Sequence, residues 1–333
     1  MEYRIVDCLT DKEKNDCRTL LASNGLTFEE KVDKTIALYD GEQMVATGSI
    51  YENVIKMIAV EANYQGENLT SIIMFNLISI LNQKNISKYF IFTKPESKKY
   101  FIDFNFSEII ESEHVVMLEN SIDKIEDQLN QIKNNLKLKS GKTSGIVMNC
   151  NPVTLGHMYL IERCANESDN VIVFLVEENK SVFPFEIRLN LLKKATKHLN
   201  NVHIVPSTKY IISSATFPTY FLKELNQASL EYMKLDISIF NKYFMKIFSL
   251  DKRYVGSEPL DPTTNAYNQT MKEILGEKLV EIERVQLDSN IVSASFVRKL
   301  AKELKYDELK KYVPNETYKF LKSPQGRKLF YEQ

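Results

Sequence analysis

The chain of 333 residues has 43 Lys+Arg against 44 Asp+Glu, a formal net charge of -1, 44% hydrophobic residues and 26% charged ones. That balance belongs to an ordinary globular protein; it excludes a disordered, fibrous or membrane-spanning chain and removes the basic surface that nucleic-acid binding needs. At roughly 100–200 residues per domain, the length predicts two domains.

Cys8, Cys17, Cys150 and Cys164 form no CxxC pair, and the first residues are charged with no secretory apolar stretch, so the cytoplasm is the expected compartment. The longest apolar runs, such as that from Val171 to Val176, fall far short of the roughly 18–20 residues a membrane helix needs. With histidines only at 114, 157, 198 and 203, no protein-built metal cage is expected.

In chain order, residues 36–52 predict a hairpin turning at Gly41, and VIKMIAV predicts a further strand. Ile72, Ile73, Phe75, Leu77, Ile78 and Leu81 suit a buried helix entered through Gln65-Gly66, with a strand, YFIFT, after it. Residues 121–138 are polar and helix-compatible, and KSGKTSG at 139–145 is the best linker candidate, so domains are expected at 1–138 and 141–333. Beyond the linker the pattern becomes β-α-β alternation: strand GIVMN, a helix at 156–166, strand VIVFLV, a helix at 185–199 and strand VHIVP. This predicts α/β architecture with a parallel, Rossmann-like sheet. The apolar run 237–250 predicts a buried helix or helix hairpin.

The strongest local signal is Asn149-Cys150-Asn151-Pro152-Val153-Thr154-Leu155-Gly156-His157, directly after the first strand of the second half and opening a helix. Backbone N–H groups at such a helix start attract anions, a glycine permits close approach, and a histidine in the first turn can donate to a phosphoryl oxygen. The bland alternative is Thr154 as a plain helix cap with His157 packed beside Leu160, Ile161 and Cys164. A second candidate, Ile291-Val292-Ser293-Ala294-Ser295-Phe296-Val297-Arg298, places Ser293 or Ser295 as the cap of a helix and Arg298 where it can reach the same phosphate. Alone it is an N-cap with a surface arginine.

Taken together, T-x-G-H and S-x-S-x-x-R resemble the paired H-x-G-H and I-S-S-T-x-x-R motifs of the nucleotidylyltransferase superfamily, with Thr154 in place of the first histidine. The blocks NPVTLGH, FPFEIR, YIISSATFPTYFLK, YVGSEPLDPTTNAYNQTM and VSASFVR, in this order, closely resemble the citrate lyase ligase family. That resemblance implies ATP-dependent, Mg²⁺-assisted conversion of acetate to acetyl-AMP, then acetyl transfer to the thiol of a dephospho-CoA-derived prosthetic group on the citrate lyase acyl carrier subunit. It implies catalytic roles for His157, Thr154 and Arg298, and nucleotide binding by Asn149, Asn151, Pro152, Gly156, Gly256, Glu258, Ser293 and Ser295. Gly256 and Glu258 read equally as a structural turn. Arg188, Ser213, Ser214 and Tyr220 are candidate substrate-binding residues, although Arg188 reads by default as a helix-surface ion pair.

The first domain resembles the GNAT acetyltransferases, whose phosphate loop aligns with Gln65-Gly66-Glu67-Asn68-Leu69-Thr70; Asn68 and Thr70 stand where small residues allow close CoA approach. Carrier docking or holding a CoA-like arm is therefore expected over independent acetyl-CoA chemistry. Two rival functions stand beside the ligase reading: adenylyl transfer to phosphopantetheine or a nicotinamide mononucleotide, and a non-catalytic CoA- or carrier-binding module.

Overall fold

The computed structural model describes residues 3–8, 10–177, 181–211, 225–257, 262–284, 286–287 and 290–331. The chain divides into two units, Met1–Ile125 with Ser214–Leu235 and Glu126–Ser213 with Asp236–Gln333.

In the first unit the elements run β1 (Arg4–Asp7), α1 (Asp11–Ser23), β2 (Lys34–Asp40), β3 (Gln43–Tyr51), β4 (Val54–Val60), α2 (Leu69–Gln83), β5 (Tyr89–Thr93), α3 (Lys99–Ile102), β6 (Ser107–Glu111) and β7 (Val116–Asn120). Its seven strands form one sheet in the order β1-β2-β3-β4-β5-β7-β6. Every pair is antiparallel except β4 with β5. The expected hairpin is β2–β3. Leu69, Ile73, Leu77 and Leu81 recur every fourth position on α2 and are all buried with Ile36, Leu38, Ile50 and Ile91 of the sheet. Gly48 of β3 makes the approach possible: a Cβ there would lie 2.6 Å from Ile73 Cγ2 and 2.9 Å from Leu77 Cδ1. Phe75, expected among the buried residues of this helix, instead points outward at 74% exposure, because its position falls off the sheet-facing stripe.

The second unit begins with α4 (Ile125–Asn134) and continues through β8 (Thr143–Met148), α5 (Leu155–Asn166), β9 (Asn170–Leu175), α6 (Phe185–Ala195) and β10 (Val202–Pro206). After α7 (Leu225–Ile239), which carries the chain out of the first unit, come β11 (Lys252–Gly256), α8 (Pro262–Leu275) and β12 (Leu279–Ile282). Four helices follow: α9 (Ala294–Lys302), α10 (Tyr306–Leu309), α11 (Asn315–Lys322) and α12 (Pro324–Tyr331). The five strands run in the order β10-β9-β8-β11-β12, all parallel, as the β-α-β alternation requires.

Two expectations change. The linker 139–145 is partly strand, since Thr143, Ser144 and Gly145 open β8; a Cβ on Gly145 would meet Leu250 Cδ1 at 2.7 Å, so this glycine serves packing. The break between units falls at residues 125 and 126, ahead of the expected 138–141, because α4 is anchored in the second unit: Leu129 is fully buried and Lys133 Nζ donates to the Ile247 carbonyl at 2.6 Å. The apolar run 237–250 is helical, as expected, with a π-helical stretch at Phe240–Met245. Phe240, Phe244 and Phe248 all close on Phe174 of β9, with ring centroids 5.1–5.9 Å apart.

Candidate active site

A parallel sheet offers its ligand crevice beyond the carboxyl ends of its strands, at the place where strand order reverses. Here that place lies between β8 and β11. The turn leaving β8 holds Cys150 in the left-handed region, φ 53°, with its side chain buried, and Pro152, also buried, follows a cis peptide bond. Arg188 fixes this turn from below. Its Nη1 donates to the Asn149 carbonyl and Asn149 Oδ1 at 2.8 Å each and to the Val176 carbonyl at 2.7 Å, and its Nε donates to the Phe183 carbonyl at 2.9 Å. Arg188 is 0% exposed, so the expected surface ion pair is wrong: the guanidinium is buried among carbonyls that terminate strands and would otherwise lack donors. Asn151 Oδ1 takes the Phe183 N–H at 3.1 Å, binding the same turn to the β9–α6 connection.

At the head of α5, Thr154 is the N-cap, buried, with its Oγ1 accepting the His157 N–H at 3.3 Å. The reciprocal half of this capping box is the His157 ring: Nδ1 accepts the Thr154 N–H at 3.0 Å and lies 2.8 Å from Thr154 Oγ1. An Nδ1 that accepts a backbone proton leaves the ring hydrogen on Nε2, so His157 is a neutral donor with a fixed orientation. Burial, with the charge of Arg284 added, lowers its pKa to about 4, although an edge of the residue stays accessible. The cap thus orients the histidine; it does not compete with it.

The second motif joins the first. Ser293 caps α9 by accepting the Phe296 N–H at 3.2 Å, and its hydroxyl lies 3.0 Å from that of the exposed Ser295. Arg298, one turn on and half-buried, donates from Nη1 to the Asn151 carbonyl at 2.6 Å. A Cβ on Gly156 would come within 3.0 Å of the Val292 carbonyl, so Gly156 permits the two motifs to touch. The Leu155 N–H donates to the Tyr312 carbonyl at 2.9 Å. Two of the first three amides of α5 are therefore used inside the protein, and an anion here must be met chiefly by side chains, contrary to the expectation of a bare helix terminus.

Gly256 ends β11, and its carbonyl accepts Asn268 Nδ2 at 3.1 Å. Glu258, Ser213, Ser214 and Tyr220 lie outside the described residues. Among the described residues, no three His, Cys, Asp or Glu side chains come together as a metal site.

Residues 143–321 match the family model for the citrate lyase ligase C-terminal domain. The chain is 33% identical to the citrate (pro-3S)-lyase ligase of Escherichia coli strain K12 over 322 residues, covering 94% of this chain and 91% of that protein. It is 32% identical to the corresponding ligase of Klebsiella pneumoniae over 95% of each chain. The chain belongs to the citrate lyase ligase family. A shorter stretch, 55 residues or 16% of this chain, is 46% identical to the phosphopantetheine adenylyltransferase of Finegoldia magna and covers 34% of it. In structure, 36% of the chain aligns with all of Escherichia coli ElaA at a TM-score of 0.32 and 11% identity.

In this member of the citrate lyase ligase family, Arg284 falls in none of the motifs. It lies two residues past β12, half-buried, with its N–H donating to Ser257 Oγ at 3.3 Å.

Proposed function

We propose that the chain activates acetate with ATP and passes the acetyl group to a carrier thiol. The carboxylate oxygen of acetate attacks the α-phosphorus, the bond from that phosphorus to the bridging oxygen breaks, and pyrophosphate leaves. The thiolate then attacks the acetyl carbonyl and AMP departs. His157 Nε2–H and Arg298 are assigned to charge developing on the phosphates, Thr154 to orienting His157, and Ser295 to the phosphates from the head of α9. Asn149, Asn151, Pro152, Gly156, Ser293 and Gly256 form the frame that holds these groups, and Arg188 supports that frame in place of touching substrate. We assign Mg²⁺ to the triphosphate as its counter-ion.

The observation that carries this reading is the joining of the two motifs, Arg298 on the Asn151 carbonyl and Val292 against Gly156. The acceptor thiol follows from the family: we take it to be the prosthetic group of the citrate lyase acyl carrier subunit, in the cytoplasm, where ATP is supplied. The rival adenylyl transfer to phosphopantetheine is supported only by short matches covering 16–22% of the chain. For the first unit we propose carrier docking or holding of the CoA-like arm. The test is incubation with ATP, Mg²⁺, acetate and deacetylated citrate lyase. Return of lyase activity with AMP formation is expected, and AMP formation without acetate would remove the proposal.

A further inference from the structure

The sulfur atoms of Cys8 and Cys17 lie 3.4 Å apart in the first unit, and the adenylation chemistry uses neither. Both side chains are buried, Cys17 at 0% exposure and Cys8 at 8%. We propose that Cys8 and Cys17 form a redox-sensitive pair that a hydroperoxide closes into an intramolecular disulfide, stapling the end of β1 to α1, and that a dithiol reductant reopens.

Fixed backbone on both sides holds the sulfurs together. The Cys8 N–H donates to the Thr35 carbonyl at 2.9 Å, which extends the pairing of β1 with β2. Cys17 sits in α1, whose start is locked by a capping box: the Glu13 N–H donates to Thr10 Oγ1 at 3.3 Å and the Thr10 N–H to Glu13 Oε2 at 2.8 Å. The direction of the thiol protons follows from Thr47. Its hydroxyl donates to the Ile36 carbonyl at 3.0 Å, so it accepts from the Cys17 thiol, whose Sγ is 3.4 Å from Thr47 Oγ1. With the Cys17 proton spent there, the Cys8 S–H donates to Cys17. That contact lowers the Cys17 thiol from its ordinary range and raises that of Cys8, so Cys17 ionises first. The Cys17 thiolate attacks one oxygen of the hydroperoxide, the O–O bond breaks, and Cys17 becomes a sulfenic acid; the leaving oxygen takes up the proton that Cys17 gave away and departs as water or an alcohol. The Cys8 sulfur then attacks that of Cys17, the S–O bond breaks, and the Cys8 proton leaves with the hydroxide as water. Two thiols have passed two electrons to the peroxide. Bond formation closes the sulfurs by about 1.4 Å, to the ~2.04 Å of a disulfide. In a reducing compartment the pair rests as thiols until such an oxidant arrives.

The test uses the full chain, freed of reductant and exposed to hydrogen peroxide, then denatured, alkylated and mapped by peptide mass; cleavage after Lys12 or Lys14 separates the two cysteines. Cys8 and Cys17 are expected to leave the alkylated pool together, with their peptides joined and lighter by two hydrogens, and dithiothreitol is expected to return both. Cys150 and Cys164, buried in the core of the second unit, serve as internal references and should stay alkylatable. In Cys8→Ser, Cys17 should stop at the sulfenic acid and take dimedone; in Cys17→Ser, loss of the Cys8 thiol should slow by at least about tenfold. The oxidised parent should unfold at a higher urea concentration than the reduced one, since the bond restricts the unfolded chain. Cys8 and Cys17 oxidised separately, either one joined to Cys150 or Cys164, or both unchanged at peroxide concentrations that oxidise the chain's methionines, overturns the proposal, as does an oxidised chain no more resistant to urea than the reduced one. Should a serine variant fail to fold, the peptide map of the parent decides alone.

Discussion

Two helix starts, one in each unit, hold a residue in the left-handed region just ahead of the helix, and they use it differently. Before α2 it is Asn68, φ 62°, itself the N-cap, with no side-chain cap on the first-turn amides. Before α5 it is Cys150, φ 53°, four residues upstream of the cap, and Thr154 and His157 close a full capping box. The start of α2 leaves its anion-binding capacity in the backbone. The start of α5 uses two of those amides internally and gathers at its head side chains from separate stretches of sequence, Thr154 and His157 with Arg298, which mutation can therefore dissect.

The largest effect expected is from cutting the units apart. Every phosphate-directed motif lies after residue 141, yet the chain returns to the first unit at 214–235, where Glu231 is 1% exposed on its side chain and accepts the Ser112 hydroxyl. A 141–333 fragment strips the surroundings of Glu231 and also deletes α4 with its buried Leu129. We expect it to lack a cooperative urea transition and to show no pyrophosphate exchange, and a 126–333 fragment, which keeps α4, to regain part of the cooperativity. A sharp transition with full exchange in 141–333 would show that the units are independent.

Arg188→Ala comes next. It leaves the Asn149, Val176 and Phe183 carbonyls without the Arg188 donor, and we expect a loss of about 3–5 kcal/mol by chemical denaturation. His157→Ala should leave stability nearly intact while exchange falls by about 10²–10³-fold, the usual effect of losing one donor aimed at developing charge. Because the folded pKa of His157 is lowered from 6.5 to about 4, the unfolded chain takes up the proton first as pH falls. Its titration leaves stability untouched above pH 6.5 and costs the parent stability as pH drops toward 4; urea midpoints of parent and His157→Gln should stay parallel above pH 6.5 and separate below it, the parent falling faster.

Much of this is legible in the sequence because the second unit obeys local rules. Apolar runs mark β9 and the second half of β8, and the residues after β8 announce a turn into a helix. What escapes is set by contacts distant in sequence. Arg188 reads as a surface arginine because an amphipathic pattern does not report that a helix start is overlaid by two strand ends. Arg284 carries no motif at all, and only the strand order brings it beside Gly256. The linker expectation fails at its end since Ser144 and Gly145, polar or small, are taken into β8 with Gly145 packed under Leu250, an effect that composition cannot distinguish from flexibility.

Gly156→Ala tests the join between the motifs with a smaller effect. The added methyl meets a backbone carbonyl at 3.0 Å, which has to give by a few tenths of an ångström, and we expect about 1–2 kcal/mol of destabilisation. Exchange should fall by more than stability predicts, since Arg298 moves with Val292. Equal loss in both would mean that the join only serves packing.

The smallest effects separate the two helix starts most directly. Asn68→Gly removes the Ser71–Asn68 side-chain bond but relieves a left-handed backbone that glycine adopts freely, so the terms nearly cancel and the stability change should stay within about 0.5 kcal/mol. Thr154→Ala should cost about 1 kcal/mol through the lost cap. The two differ in chemistry far more than in stability. Removing Thr154 Oγ1 releases one of the two contacts that hold Nδ1 and turn Nε2 toward the crevice, so exchange should drop about tenfold or more, with Thr154→Ser restoring most of it. Asn68→Gly should leave exchange at the parental rate, because Asn68 lies in the unit to which we assign carrier docking, apart from adenylation. If Thr154→Ala lost only its kilocalorie and kept full exchange, the capping box would be a helix end like any other, and nothing functional would distinguish the start of α5 from that of α2.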